Sequence, residues 1–177
     1  MRRPLAAGLA IGAAALLAVA CGGGASRAVT PSPAAPPAAT VAPVSFPRTQ
    51  LSIIGAGGAR LIDVEVATTP AQSERGLGYR DALAPDAGML FDLGHARTQQ
   101  FWMKGMRFAL DLVWIGEDKR VAGVTPDVPP QPGAADADLL LYAPPVPVSY
   151  VLEINAGAAA RLGIATGTPL AFTIPAE

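Results

Sequence analysis

Residues 60–66, RLIDVEV, decide the fold class of this chain: every second residue is Ile or Val, and the acidic Asp63 and Glu65 lie between them. A repeat of two residues is typical of a β-strand with one buried face. Residues 51–54, LSII, precede this stretch across residues 55–58, GAGG, which predicts a hairpin. We therefore expect a fold made mainly of short strands.

Other apolar stretches predict further strands, and they lie at residues 88–93, 100–104, 110–115, 120–125, 150–155 and 169–174. Residues 116–119, GEDK, join two of them as a second hairpin. Thr69-Pro70-Ala71-Gln72 is a capping box that predicts a short helix, and residues 156–162 predict another that ends at Gly163. We expect an α+β fold that is mainly β: a compact antiparallel-rich sheet or small barrel with two short helices.

The composition argues against several classes of protein. The chain has 177 residues, of which 51% are hydrophobic and 15% charged, and its net charge is −1. Its 19 glycines and 18 prolines argue against a long helical bundle. Many of the prolines lie in residues 126–147, which we expect to form an irregular surface loop. Because the basic residues are scattered and do not outnumber the acidic ones, we expect no nucleic-acid partner.

The amino terminus has the layout of an export signal. Two arginines precede the uncharged apolar residues 5–20, a run shorter than the roughly 20 residues that a membrane-spanning helix needs. Residues 17–21, LAVAC, resemble a bacterial lipoprotein signal, in which the cysteine after the cleavage site carries lipid. We predict a signal peptide at residues 1–20 and acyl chains such as palmitate on Cys21, which make the membrane a partner. Two alternatives remain, an ordinary signal peptide with Cys21 as a leftover thiol and an uncleaved anchor helix.

A tether and one domain are predicted after the signal peptide. Residues 21–47 contain the lipidated Cys21 and are rich in proline and alanine, a composition that cannot bury enough apolar surface to fold. Residues 48–177 have an ordinary size for a single β-rich domain. We therefore expect a lipid-anchored protein of the cell envelope that faces the periplasm or the exterior.

Four sequence blocks occur in order within this domain: residues 74–80 (ERGLGYR), 88–91 (GMLF), 101–104 (FWMK) followed by Leu110-Asp111, and 150–153 (YVLE) followed by Gly157. Together they resemble the prokaryotic family known as domain of unknown function 192, over about residues 59–174. The chain departs from the family pattern at Gly78, where methionine is usual, and at Gly105, where asparagine is usual. The resemblance implies a compact, mainly β domain with few helices, often exported or membrane-associated, and no cofactor. It implies no agreed activity.

The chain has few residues suited to metal or nucleophilic chemistry. His95 is the single histidine, and one imidazole cannot supply the usual ligand set, so we predict no metal site. No nucleophile-elbow pattern surrounds a serine that could join His95 in a triad. Residues 55–58 lack the lysine and the following helix of a phosphate-binding loop.

Asp111 and Glu153 are carboxylates within predicted strands that look apolar on both sides. An ionised carboxylate in such surroundings needs a cationic partner or a raised pKa. In one interpretation, Arg75 or Arg80 pairs with one of them as a buried structural bridge, because buried polar groups are normally satisfied internally.

Two other interpretations make these carboxylates part of a functional site. In the first, a cleft binds an anionic or sugar-like envelope ligand. Its candidate residues are the family-block cations, an aromatic ring and the two carboxylates: Arg75, Arg80, Trp102, Lys104, Asp111 and Glu153. In the second, Asp111 and Glu153 are the general acid and base of a small hydrolase that acts on envelope polymer. We expect a non-catalytic ligand-binding or interaction module, with the hydrolase as the alternative.

Overall fold

The computed structural model describes residues 44–176, which contain seven strands, two α-helices and one 3₁₀ turn. The strands are β1 (Arg48–Gly55), β2 (Gly58–Ala67), β3 (Ala87–Arg97), β4 (Leu110–Ile115), β5 (Val121–Val128), β6 (Val148–Asn155) and β7 (Leu170–Ala171). The helices are α1 (Pro70–Arg75) and α2 (Ala158–Leu162), and the 3₁₀ turn covers Asp136–Asp138. The predicted signal peptide, the predicted lipidation site Cys21 and the predicted tether as far as residue 43 lie outside the described residues.

The strands of residues 44–176 form one curled sheet in the order β5-β4-β6-β3-β2-β1-β7. Within it, β2 and β3 run parallel because the chain crosses back through α1 between them, and the other neighbouring pairs are antiparallel. The curl brings the start of edge strand β5 close to the start of edge strand β7. Val121 N donates to the Thr168 carbonyl oxygen at 3.0 Å, and Leu170 N donates to the Lys119 carbonyl oxygen at 2.9 Å. The sheet is therefore a curled half-barrel, and the predicted mainly β, α+β fold is confirmed.

Each face of the sheet carries its own hydrophobic cluster. We call them the Asp111 face and the Glu153 face, after the carboxylate that each one buries. The Asp111 face packs against α2 and the carboxyl-terminal residues, and its core includes Leu51, Ile62, Val113, Leu152, Ile164 and Phe172. The Glu153 face packs against the segments that follow α1 and β3, and its core includes Leu77, Phe91, Met103, Leu112, Trp114 and Val151.

Local sequence signals place both helices as predicted. The Thr69 side chain accepts a hydrogen bond from Gln72 N at 3.3 Å, and the Gln72 side chain accepts one from Thr69 N at 3.0 Å, which completes the capping box. Gln72 Nε2 also donates to the Ser45 carbonyl oxygen at 2.9 Å, so α1 is tied to residues that the sequence assigns to the tether. Helix α2 ends at Gly163, whose φ of 73° lies in the left-handed region.

Several strand predictions are wrong in extent, and the strand predicted at residues 169–174 consists only of β7, Leu170–Ala171. The predicted strand at residues 100–104 is reduced to one bridge, in which Phe101 and Tyr142 exchange two backbone hydrogen bonds of 2.8 Å. The partner segment is the proline-rich loop, whose prolines supply no N–H donors to extend the pairing. In contrast, the strand predicted at residues 88–93 continues as β3 to Arg97, so His95, which lies beyond the predicted strand, is in the exposed end of β3.

Candidate functional site

An open cleft lies on the Glu153 face between α1, the end of β3 and the loop that follows β3. Its volume is about 520 Å³, which is within the range of small-molecule sites. Of the predicted ligand-binding residues, four line it: Arg75, Trp102, Lys104 and Glu153. The lining also contains hydroxyl, amide, cationic and apolar side chains that were not predicted, among them Ser73, Arg97, Gln99, Gln100, Phe101 and Met106.

Glu153 lies in this cleft with its carboxyl group unpartnered. It is 6% exposed, and its neighbours across the strands are Met89 and Leu112, which are both fully buried. No residue of the described chain forms a hydrogen bond or an ion pair with its side chain. Because burial removes water from the carboxylate, the pKa of Glu153 rises to about 8. At neutral pH the group is therefore mostly protonated and can donate a hydrogen bond into the cleft.

Three of the described cations line the cleft: Arg75, Arg97 and Lys104. Lys104 Nζ lies 2.6 Å from Asp136 Oδ2. Arg75 lies over the Tyr79 ring, with 4.9 Å between its guanidinium carbon and the ring centroid. Within residues 44–176, neither arginine forms an ion pair with a carboxylate, so the predicted buried bridge from Arg75 is wrong. Two guanidinium groups are thus available to an anionic ligand.

The turn after α1 packs against the loop after β3 at two glycines. Gly105 has a φ of 70°, and a Cβ atom there would lie 2.9 Å from carbon atoms of the Tyr79 ring. Tyr79 N donates to the Gly105 carbonyl oxygen at 2.8 Å. A Cβ atom on Gly78 would lie 3.1 Å from the Arg75 carbonyl oxygen and 3.2 Å from that of Lys104. The two glycines that depart from the family pattern therefore allow the close approach that holds Tyr79 beneath Arg75.

The aromatic and methionine side chains of residues 101–103 divide between core and cleft. The Phe101 ring packs edge-to-face against Phe91 and Trp114, at centroid distances of 5.2 and 5.7 Å. Met103 is 1% exposed, whereas Trp102 between them is 48% exposed and lines the cleft. The partly buried Phe101 and the buried Met103 on either side of Trp102 hold the segment in place and leave the indole ring accessible.

Asp111 lies on the opposite face of the sheet from Glu153. In the register of β4 and β6, Asp111 is opposite Ile154, and Leu112 is opposite Glu153. Successive side chains of a strand point to opposite sides, so the two carboxylates point away from each other. The predicted acid and base pair of a hydrolase is therefore wrong, because the two groups must flank the same bond.

The Asp111 carboxylate is occupied by the fold. Its oxygens accept hydrogen bonds from three backbone N–H groups, those of Asp127 at 2.9 Å, Gly157 at 3.1 Å and Ala159 at 2.9 Å. Gly157 and Ala159 belong to the start of α2, and Asp127 lies near the end of β5. Asp111 therefore joins two segments of the chain and has no direct role in the cleft.

Arg80 also lies away from the cleft, in a groove beside β2. Its guanidinium donates to the Glu65 carboxylate, which accepts a second hydrogen bond from Arg48. Burial alone would raise the pKa of Glu65, but the hydrogen bonds from Arg80 and Arg48 outweigh it and lower the pKa. The predicted buried bridge from Arg80 to Asp111 or Glu153 is therefore wrong, because Arg80 pairs with Glu65.

Several cleft residues carry no local signal in the sequence. Arg97 reaches the cleft because β3 continues beyond its apolar residues, and Gln99 and Gln100 follow in the loop. Ser73 lies on the exposed side of α1. Their positions depend on the packing of α1 against β3, which no short motif specifies.

Among residues 44–176, no group of three or more His, Cys, Asp or Glu side chains is placed to hold a metal ion. None of the helices in this part of the chain is long and apolar enough to span a membrane.

Comparisons with known proteins identify the family of the chain. The family model DUF192 (Uncharacterized ACR, COG1430) matches residues 52–172. A crystal structure from Sinorhizobium meliloti 1021, of a protein provisionally named a transcription regulator, is 37% identical with a TM-score of 0.66, and the match covers 73% of this chain and 97% of that one. A crystal structure of a protein of unknown function from Novosphingobium aromaticivorans DSM 12444 is 31% identical with a TM-score of 0.62, and covers 69% of this chain and 83% of that one. No curated protein matches the chain. The chain therefore belongs to the DUF192 family.

Proposed function

We propose that this protein is a non-catalytic binding module of the cell envelope that holds a small ligand in the cleft over Glu153. The observation that carries the proposal is the Glu153 carboxyl group, which is 6% exposed in an open cleft and has no partner in the described chain. In the described chain, the side-chain oxygen that is both fully buried and without a hydrogen bond is Ser149 Oγ, so the Glu153 oxygens still contact the open cleft. Burial disfavours the ionised form of Glu153 and raises its pKa, and a group perturbed in this way within a cleft is typical of a functional site. A ligand in the cleft can therefore reach the protonated carboxyl group and hydrogen-bond to it.

The cleft favours recognition over hydrolysis. The buried polar residues of the described chain are Asp111, Ser149 and Glu153, and Asp111 lies on the other face of the sheet. Glycoside hydrolysis by the usual mechanism needs two carboxylates about 5–10 Å apart that flank the scissile bond. The other acids of the lining are Glu74, which is exposed on α1, and Asp92, which accepts a hydrogen bond from Gly94 N at 2.8 Å. Glu153 is thus the one buried acid of the lining, which supports a binding role.

The amino-terminal sequence supports a place in the cell envelope. We propose that residues 1–20 are removed, that Cys21 carries lipid, and that residues 22–43 space the domain from the membrane by up to about 70 Å. Cys21→Ser is expected to abolish incorporation of labelled palmitate and to move the protein from the detergent phase to the aqueous phase, whereas Ser26→Ala changes neither. Unchanged partitioning of Cys21→Ser would contradict the anchor.

The provisional name of the S. meliloti neighbour suggests a nucleic-acid function, which the charge of this chain does not favour. The chain has 13 Lys and Arg residues against 14 Asp and Glu residues. Nucleic-acid binding depends on a basic surface that replaces phosphate counterions. We therefore do not extend that function to this protein.

NMR of the ¹⁵N-labelled, soluble Cys21→Ser chain tests the cleft. The probes are D-glucose, D-glucuronate, glycine and glucose 6-phosphate, each added alone. We expect at least one of them to shift the amide signals of residues 73–78 and 99–104. The amides of Gly157 and Ala159, which are bound to Asp111 on the other face, serve as the internal control. If no probe shifts the cleft signals, or if both faces shift equally, the binding proposal is wrong.

A further inference from the structure

If the cleft over Glu153 holds a small ligand, as proposed above, its lining identifies the chemical class of that ligand. We infer that the cleft binds a sugar acid with one negative charge, of the uronic-acid type. Its hydroxyl groups lie toward Glu153, its ring lies against Trp102, and its carboxylate lies toward Arg75 and Arg97.

The buried end of the cleft favours an uncharged ligand oxygen. Glu153 is buried and lines the cleft together with the buried apolar residues Phe91, Leu93 and Met106. Its protonated carboxyl can donate to a sugar hydroxyl and accept from it in return, because a hydroxyl group is both donor and acceptor. A ligand ammonium group would instead require ionised Glu153, the form that burial disfavours.

The two arginines favour a carboxylate at the opening of the cleft. Arg75 and Arg97 both line it, and neither has a carboxylate partner in residues 44–176. A guanidinium group binds a carboxylate through two parallel hydrogen bonds, a geometry that a ligand amine cannot provide.

The total charge of the lining favours a ligand with a single negative charge. With Glu153 protonated, the lining contains three cations and two anions, which are Arg75, Arg97, Lys104, Glu74 and Asp92. The lining alone thus has a surplus of one positive charge. Asp136, outside the lining, pairs with Lys104, so that Arg75 and Arg97 remain against Glu74 and Asp92. The cleft therefore does not favour more than one negative charge on the ligand. A phosphate dianion would therefore leave uncompensated negative charge next to Glu74 and Asp92.

The wall of the cleft favours a ring with several hydroxyl groups. Trp102 presents an accessible indole ring, and aromatic rings pack well against apolar faces of ligands. Ser73, Gln99 and Gln100 add hydroxyl and amide groups to the lining. Such groups can donate to ligand hydroxyls and accept from them, which matches a sugar better than a fatty acid of similar charge.

Trp102 fluorescence in the Cys21→Ser chain measures the affinity for three matched sugars that differ in charge. The second tryptophan, Trp114, is 1% exposed and donates to Thr125 Oγ1, so it supplies a constant background. We expect D-glucuronate to change the signal at the lowest concentration, D-glucose to bind at least about tenfold more weakly because it lacks the charge-assisted hydrogen bonds, and D-glucosamine to bind weakest. Equal affinities, or tighter binding of D-glucosamine, would overturn the assignment.

Variants of the two arginines identify where the carboxylate binds. Arg75→Gln and Arg97→Gln are each expected to weaken D-glucuronate binding by about tenfold and to leave D-glucose binding unchanged. Arg107→Gln is the matched control, because Arg107 is exposed and pairs with Asp81 outside the cleft. If the control has the same effect as the cleft variants, or if the variants weaken both sugars alike, the assignment fails.

The pH dependence of binding tests the role of Glu153. The charged groups that line the cleft with it are Glu74 and Arg75 of α1, Asp92 and Arg97 of β3, and Lys104 of the following loop. Above pH 8, ionised Glu153 repels the ligand carboxylate and loses its donor, so D-glucuronate affinity falls more than about tenfold between pH 6.5 and 9.5. Glu153→Gln keeps a donor and is expected to show little dependence. An equal dependence in both proteins would overturn this role.

The NMR titrations separate failure of the ligand class from failure of the proposed function. If glycine or glucose 6-phosphate shifts the cleft signals and D-glucuronate does not, the cleft is a binding site and the sugar-acid assignment is wrong. If none of the probes shifts them, both are wrong.

Discussion

The two faces of the sheet each bury one carboxylate, and they surround it differently. Asp111 accepts three backbone hydrogen bonds, and α2 and the end of β5 depend on it. Glu153 lies on the adjacent strand, opposite Leu112 rather than Asp111. Its carboxyl group has apolar neighbours and an open cleft instead of hydrogen-bond partners. The first carboxylate stabilises the fold. The second destabilises it at neutral pH, and a residue retained at such a cost is better explained by binding than by packing.

The same acid-to-amide substitution is expected to have opposite effects on the two faces, with the larger effect at Asp111. Asp111→Asn replaces one acceptor oxygen by an NH₂ group that faces backbone N–H donors, so at least one buried donor loses its partner. We expect the free energy of unfolding to fall by about 2–4 kcal/mol, as measured by urea denaturation at pH 7. Such a loss is a large part of the roughly 5–15 kcal/mol that holds a domain folded.

Asp118→Asn serves as the control, since Asp118 is exposed and bonds only within its own hairpin turn. If Asp111→Asn is no more destabilising than this control, the three hydrogen bonds contribute little and the difference between the faces disappears.

Glu153→Gln is expected to stabilise the protein at pH 7. The pKa of Glu153 is raised from 4.5 to about 8 on folding. Between these values the folded chain keeps a proton that the unfolded chain has released, so stability falls as pH rises, by up to about 1.4 kcal/mol per pH unit. The amide cannot ionise, and we expect the variant to be more stable by about 2–3 kcal/mol at pH 7.

Urea denaturation between pH 4 and pH 9 checks this sign. Below pH 4.5 both states hold the proton and the penalty is absent, and above pH 8 the folded group ionises and the penalty no longer grows. A wild-type stability that declines no more steeply than that of Glu153→Gln would show that Glu153 is not the buried acid we describe.

The local parts of this fold were predictable from sequence, and the relation between its faces was not. The capping box at Thr69 and the alternation around Val64 act within a few residues, so their patterns could be read directly. The alternation around Asp111 and Glu153 also showed that each lies between apolar neighbours. Whether the two carboxylates lie on the same face of the sheet depends on the register of β4 against β6. A shift of that register by one residue would place both on the same face.

The cleft was predictable only in part, for the same reason. Trp102 and Lys104, the candidate residues from this stretch, line the cleft, but the strand predicted at residues 100–104 failed because its partner is a proline-rich loop. Arg80 belongs to the same sequence block as Arg75, and the turn between them sends the two side chains to different grooves. Sequence motifs identified candidate groups, whereas long-range packing decided which of them meet.

The smallest expected effect concerns how the cleft positions Arg75. Gly105→Asn restores the residue that the family resemblance leads one to expect, and asparagine tolerates the φ of 70° at this position. Its Cβ atom would lie 2.9 Å from the Tyr79 ring. The ring is 53% exposed and can turn outward, so we expect a stability change below about 1 kcal/mol.

The displaced ring would no longer lie beneath Arg75, and affinity for D-glucuronate should fall about threefold, in line with the loss of one exposed cation–π contact. D-glucose binding should not change, because it does not depend on the guanidinium. Gly133→Asn is the matched control: Gly133 has a similar φ of 75° and open space around its Cβ position. Equal effects of the two substitutions on D-glucuronate affinity would mean that backbone strain, and not the Tyr79 ring, changed the cleft. A selective effect of Gly105→Asn would show that Gly105 contributes to carboxylate binding on the Glu153 face, a function that we do not propose for the Asp111 face.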